Sequence, residues 1–158
     1  MARTYYSEIN LHMTWHVKVS SRLLTLDIEP IAHNALRQKA LATPGVIVHA
    51  VDGTETHVHL AVTIPPTVLI SDFIGQLKGA SSFYLNQTLA DSSKFAWQIG
   101  YGVLTFGTRD LKWVIDYILN QKKHHAQGTT HARLELTTPD EEPTTGKAND
   151  TPGPKGPG

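Results

Sequence analysis

The sequence predicts an α+β fold of the ferredoxin-like, split βαβ kind: an antiparallel sheet with helices on one face, plus a further helix at the C-terminal end. Three observations lead there. Residues 9–19 alternate between apolar and polar; strand and helix periods then follow in the order β-α-β-β-α-β; and a last stretch of helical period comes after them. The fold hosts many activities, so function has to be argued from particular residues.

In the first strand Ile9, Leu11, Met13, Trp15, Val17 and Val19 share one face, and Asn10, His12, Thr14, His16 and Lys18 share the other. Residues 27–42 read as a helix, with Ile28, Ile31, Ala32, Ala35 and Leu36 at spacings of three and four, ended by Thr43-Pro44-Gly45. Residues 46–51 and 57–64 are rich in β-formers, and Asp52-Gly53 between them is a hairpin turn dipeptide. Pro65-Pro66 stops that strand. A second helix follows from Thr67 or Ser71 to about Leu89, its propensity lowered by Gly75 and Gly79. Residues 97–106 read as a strand loosened by Gly100 and Gly102. The last helix is expected from Arg109 to about Gln127, with Thr108 as N-cap and Gly128 near its end.

A chain of 158 residues has room for one domain, here residues 1–136. Residues 137–158 are nearly all Thr, Pro, Gly, Asp, Glu, Lys and Asn. Such a segment buries too little apolar surface to offset the entropy of ordering it, so it reads as a disordered tail. The formal charge is zero, but the tail holds Lys147 and Lys155 against Asp140, Glu141, Glu142 and Asp150, which leaves the domain at +2. That balance is compatible with nucleic-acid binding without arguing for it. With no cysteine, disulfides and Cys-based zinc sites are excluded. No apolar run approaches ~18 residues and no signal-peptide core is visible, so a soluble, cytoplasmic protein is expected, away from membranes.

Nine histidines are the compositional oddity. In the strand 57–64, Val58, Leu60, Val62 and Ile64 form the apolar face, while His57, His59 and Ala61 point the other way. A one-sided sheet leaves both imidazoles on its open face, roughly 7 Å apart at Cα, within reach of one metal ion or one phosphate. A His-x-His alone is equally the mark of two surface histidines. A zinc site would require a third ligand, and no His-Glu-x-x-His is present. The pair needs a partner from elsewhere.

The last helix offers one. Leu111, Val114, Ile115, Ile118 and Leu119 form its buried stripe, and a second stripe holds Trp113, Tyr117, Gln121 and then His124 or His125. Tyr117 and Gln121 are one turn apart on one face. A lone helical tyrosine is more often packing than chemistry. Combined with His57 and His59 it completes a set of two imidazoles, an amide oxygen and a phenol, the parts of a metal-assisted nucleophilic attack on phosphorus.

Gly53-Thr54-Glu55-Thr56 leading into His57-Val58-His59 looks like the HUH motif. Tyr117-Ile118-Leu119-Asn120-Gln121, followed by His124-His125, resembles the tyrosine helix of the single-tyrosine HUH transposases of the smallest bacterial insertion sequences, the IS200-like transposase family. Arg3-Thr4-Tyr5-Tyr6, Gln76-Leu77-Lys78-Gly79-Ala80-Ser81-Ser82 and Trp97-Gln98-Ile99-Gly100-Tyr101-Gly102 are similar to that family as well. The resemblance covers about residues 3–130. It implies His57, His59 and Gln121 as ligands of Mg2+ or Mn2+, and Tyr117 as the nucleophile on a catalytic C-terminal helix. It further implies cleavage and rejoining of single-stranded DNA with hairpin ends through a 5′-phosphotyrosine, by a homodimer whose subunits share active sites. Lys78, Lys112 and Lys122 are expected to contact DNA, with Lys94, Lys123 and Arg109 less strongly indicated; Trp97, Tyr101 and Phe106 are candidates for stacking on unpaired bases. Two other readings stay open: a domesticated, non-catalytic binder of hairpin or single-stranded DNA, and a metal-dependent phosphoester hydrolase that uses only the two histidines.

Overall fold

Alternation in the first strand divides the sheet into a dry face and a polar one. The computed structural model describes residues 4–89 and 94–138, and there the strand is β1, Ile9–His16. Leu11, Met13 and Trp15 are buried on the dry face. β1 is followed by α1 (Glu29–Leu41), β2 (Ile47–Gly53), β3 (His57–Ile64), α2 (Ile70–Thr88) and β4 (Gly102–Phe106). All pairings are antiparallel and the strand order is β2-β3-β1-β4. That is the predicted split βαβ topology.

The main core lies between the dry face and the two helices. α1 contributes Ala32, Leu36 and Ala40, α2 contributes Phe73, Ile74, Leu77 and Leu85, and the sheet contributes Val58, Leu60 and Val62 beside the β1 residues. Trp97 stands edge-on to both Trp15 and Phe95, with centroids 5.9 and 4.7 Å apart. Gly75 and Gly79 do not interrupt α2, and no atom lies within 4 Å of where their Cβ atoms would be.

Two local expectations for the sheet need correction. Asp52-Gly53 is not the hairpin turn: both residues belong to β2 and pair with His59 and Val58, and residues 54–56 make the loop. Gly53 has no positive φ; it is there because a Cβ would stand 2.1 Å from the His57 carbonyl oxygen. The strand expected from Trp97 begins only at Gly102, with Trp97 reduced to an isolated bridge to Val17. Between them the ammonium of Lys78 donates to the carbonyls of Gln98, Ile99 and Gly100 at 2.9, 3.1 and 2.7 Å, which removes those acceptors from any ladder.

The last helix is broken in two. A 3-10 turn, Thr108–Asp110, leads into α3 (Leu111–Leu119), and α4 (Gln121–Gln127) starts after Asn120, whose φ of −110° and ψ of 23° leave the helical region. Thr108 does not cap it; its hydroxyl accepts a hydrogen bond from Asn10 Nδ2. Gly128, with φ of +66°, closes α4 in the left-handed conformation that glycine adopts without strain. Val114 and Ile118 of α3 pack on Ala50 and Ala61, on the sheet face opposite α1 and α2. The face expected to be open is therefore roofed. Leu111 and Leu119, expected in the buried stripe, are intermediate and exposed.

A second 3-10 segment, Ala132–Glu135, packs against β1 and β4 and is anchored by the buried Leu134. Thr137 and Thr138, the first residues of the expected tail, hydrogen-bond to Gln98; the rest of that tail lies outside the described residues. Among the described residues no helix is long and apolar enough to cross a membrane.

Leu77 is fully buried between α2 and the sheet, whereas Phe83 on the same helix is 66% exposed. Leu77→Ala is expected to cost about 3 kcal/mol in equilibrium urea unfolding, and Phe83→Ala no more than about 0.5 kcal/mol.

Candidate metal and nucleophile site

Alternation along β3 carries His57 and His59 to the polar face, and the roof formed by α3, α4 and residues 132–135 buries them. Their exposures are 3% and 0%. Each ring is held at Nδ1. For His57 the partners are the hydroxyls of Thr54 and Thr56, at 2.9 and 3.1 Å; for His59 it is His12 Nε2, at 2.8 Å. Both Nε2 atoms consequently face one small space, and neither has a hydrogen-bond partner. Holding one ring nitrogen so that the other is presented is how proteins orient histidine ligands.

Glu135 reaches into that space. Its Oε2 lies 3.4 Å from His57 Nε2 and 3.2 Å from His59 Nε2, within ion-pair distance but off the direction of a good hydrogen bond. Its Oε1 accepts the Tyr117 hydroxyl at 2.5 Å and lies 3.5 Å from His125 Nε2. The ligand atoms of His57, His59, His125 and Glu135 all fall within 4.8 Å of one another. The donor set of imidazole and carboxylate suits a divalent cation.

Tyr117 is 4% exposed. Trp113 and His124 stack on its ring, with centroids 5.7 and 4.8 Å away and planes tilted by 17° and 23°. The backbone N–H of His131 donates to its hydroxyl oxygen at 2.9 Å. The structure thus brings Tyr117, His57 and His59 together within a single chain. Gln121 is fully buried one turn on; its Oε1 lies 3.2 Å from His125 Nε2, and its amide nitrogen donates to the Tyr117 carbonyl.

The electrostatics follow from burial. It lowers the pKa of His59 and of His125, and takes His12 down to about 3, helped by the neighbouring His59. These imidazoles are neutral at pH 7, the form that binds metals. Burial also pushes Tyr117 up to about 12, with the Glu135 hydrogen bond adding to it. Burial would raise Glu135 too, but the close approach of the His57 and His59 imidazoles and the Tyr117 hydroxyl outweighs it and holds the carboxyl well below its usual range.

Of the three lysines expected to meet DNA, Lys112 is exposed. Lys78 is engaged with three carbonyls, and its ammonium stands over the Trp15 and Tyr101 rings. Lys122 donates to Glu29 Oε1 at 2.5 Å, to the Gly53 carbonyl at 3.1 Å and to Asp52 Oδ1 at 3.4 Å, tying α4 to α1 and β2. Sequence reasoning did not single out Glu135 or His12. His12 was legible as a third polar-face histidine on the strand beside β3, but Glu135 sits in a segment too short for any period.

The chain matches the family model described as "Transposase IS200 like" over residues 5–121. It is 35% identical over 77 residues to a transposase for insertion sequence element IS200 from Salmonella typhimurium, covering 46% of this chain and 50% of that protein. The chain thus spans about half the length of the curated relatives it matches. The crystal structure of a protein assigned as a transposase from Deinococcus radiodurans superposes with a TM-score of 0.60 at 25% identity, over 77% of this chain and 96% of that one. A REP-associated tyrosine transposase bound to a REP hairpin shares the fold, with a TM-score of 0.55 at 19% identity over 82% and 75% of the two chains.

The family match ends at Gln121, one residue before Lys122. Its partner Glu29 is largely buried while Lys122 itself is half exposed, which places the pair between a surface and a buried ion pair. Lys122→Met is expected to cost about 1 kcal/mol, read as a fall of about 3 °C in the unfolding temperature.

Proposed function

The chain belongs to the IS200-like transposase family, and from that premise we propose that it cleaves and rejoins single-stranded DNA through a 5′-phosphotyrosine formed on Tyr117. One observation carries this reading. A single carboxylate, that of Glu135, spans from the Tyr117 hydroxyl to the unpartnered Nε2 atoms of His57 and His59. The nucleophile and the imidazole pair therefore converge within the span of one small anionic group, close enough for both to act on one phosphodiester.

His57 and His59, with Gln121, whose amide oxygen now meets His125, are the residues that would hold Mg2+ or Mn2+, and a bound ion would polarise the scissile phosphate and offset the charge that develops on it. The buried and pre-oriented Nε2 atoms of the two histidines fit such an ion. The chain's own groups account for the rest. Trp113 and His124 hold the phenol ring between them, so attack needs little reorientation. With a pKa raised to about 12, Tyr117 keeps its proton at neutral pH, and Glu135 is too acidic to take that proton in the resting site. The proton therefore leaves only as the O–P bond forms, passing through solvent to the departing 3′-oxygen, while the His131 N–H holds the phenol oxygen in place. As that bond forms, the bond from phosphorus to the 3′-oxygen breaks, and the 3′-oxygen leaves as a hydroxyl after taking up a proton. Attack by a second DNA 3′-hydroxyl reverses the step, since a phenol is an adequate leaving group.

Beside Tyr117 opens a groove of about 490 Å³ whose walls include Trp113, His124 and His131. Aromatic walls of this kind stack unpaired bases, and the exposed Lys112 on the same helix is suited to a phosphate. Hairpin ends are the expected DNA partner, and a protein working on such DNA belongs in the cytoplasm. Assembly as a homodimer with shared sites is part of the same proposal. The Ala50 and Ala61 surface that receives α3 in this chain presents the same small residues to the helix of a second copy.

The test is incubation of the protein with labelled single-stranded DNA from the flanks of its gene, in Mn2+, followed by a denaturing protein gel. A labelled band at protein-plus-DNA mass is expected, abolished by EDTA and by Tyr117→Phe and reduced at least about 100-fold by His59→Ala. Cleavage without attached protein that survives Tyr117→Phe would establish a hydrolase instead. Binding without cleavage would establish a domesticated DNA-binding protein.

A further inference from the structure

We propose that Glu135 is itself a ligand of the divalent ion, delivered by the segment that follows the tyrosine helix and lies beyond the family-matching region. The proposal rests on the reading of His57 and His59 as a metal pair and adds to it a carboxylate that the family motifs do not contain.

Three observations support it independently of the resemblance. The first is the direction of the imidazoles. With both Nδ1 atoms occupied, the buried Nε2 atoms converge on Glu135 Oε2 without forming hydrogen bonds to it. An ion pair made for its own sake would place the oxygen along an N–H bond, because buried donors are costly to leave unpaired. The second is distance. Atoms that each lie about 2.1 Å from one ion stand about 3.0–3.4 Å from each other in octahedral to tetrahedral geometry. The observed separations are 3.2 and 3.4 Å.

The third is that room has been made for the segment. A Cβ on Gly102 would lie 1.9 Å from the Leu136 carbonyl oxygen, and one on Gly100 would lie 1.5 Å from Thr138 Oγ1. On one side of Glu135, Leu134 is buried and its N–H bonds to the His131 carbonyl. On the other, Thr137 and Thr138 hydrogen-bond to the side chain of Gln98. Glu135 is thus held from both sides, on a path that two glycines keep clear.

Two imidazoles and a carboxylate favour Mn2+ and other transition ions over Mg2+, which prefers an all-oxygen shell with several waters. The second carboxylate oxygen, Oε1, receives the Tyr117 hydroxyl, so the ion and the nucleophile are positioned by one side chain.

Mn2+ titration of the full chain, followed by the electron paramagnetic resonance signal of the free ion, tests this without reference to cleavage. The wild type is expected to bind one Mn2+, and Glu135→Gln, which keeps the shape and removes the charge, to bind it more than about 10-fold more weakly. The rise in unfolding temperature produced by Mn2+ should shrink to match. Glu135→Asp should recover part of the affinity, which a merely structural role would not do. Equal binding by wild type and Glu135→Gln would overturn the proposal and leave the His57–His59 reading standing. So would faster cleavage by Glu135→Gln, which would show that the carboxylate occupies the place of the substrate. Failure of the wild type to retain Mn2+ would sink both.

Discussion

Everything at the site depends on the alternation of one strand. β3 sends Val58, Leu60 and Val62 into the main core and turns His57, His59 and Ala61 to the other face. A slip of one residue in its register would exchange the two sets, burying imidazoles among aliphatics and exposing the core. The size of Ala61 matters as much as the direction of the histidines. With Ala50 from β2, it leaves space for Val114 and Ile118 of α3 to sit close to the sheet. The tyrosine helix thus docks at one end of the strand while the larger imidazoles occupy the other, which sets the distance from Tyr117 to the histidine pair. Their rings end with centroids 6.1 Å apart for Tyr117 and His59.

Roofing the polar face changes its chemistry. Left open to water, His12, His16 and His59 would keep the hydration that stabilises an imidazolium. Covered, they lose the hydration that stabilises the charged form, and His12, His16 and His59 are all pushed down, chiefly by burial. Neutral imidazoles can stand against one another, as the His12–His59 ring pair does at 5.0 Å. The fixed anionic charge among them is Glu135. A cluster of neutral ligands with one carboxylate is poised for a cation, and the same carboxylate keeps the adjacent phenol protonated until its environment changes.

Much of this was legible in the sequence. Alternation in residues 9–17 and 57–64, the two amphipathic helices and Pro65-Pro66 were sufficient for the topology, because each signal is long compared with its period. The spacing of His57, His59 and Tyr117, together with the family motifs, was sufficient to name them. Legibility failed where a residue's reason lies in a distant partner. Asp52-Gly53 looked like a turn because glycine allows positive φ, whereas Gly53 is needed for close approach to the His57 carbonyl. Residues 98–100 looked like strand because nothing local shows that the Lys78 ammonium, twenty residues away, would take their carbonyls. The break at Asn120 was equally hidden inside a continuous helical period.

Glu135, the ligand proposed above, has no local signature in the sequence, and its position shows how such a site could be completed. The family match supplies the sheet, the histidine pair and the tyrosine, and ends at Gln121. The described residues that follow build the roof: α4 is tied to α1 and β2 through Lys122, Gly128 turns the chain, and residues 132–138 run back across the polar face over two glycines. Gly100 and Gly102 lie inside the matched region, yet the contacts that require them are made by Leu136 and Thr138, outside it. A β-branched or bulky residue at either glycine would lift that segment away. Glu135 would then leave the imidazoles and the phenol at once, although neither glycine touches the site. The fold therefore couples the loop before β4 to the metal pair through the path of the backbone, and a substitution there acts on chemistry by geometry alone.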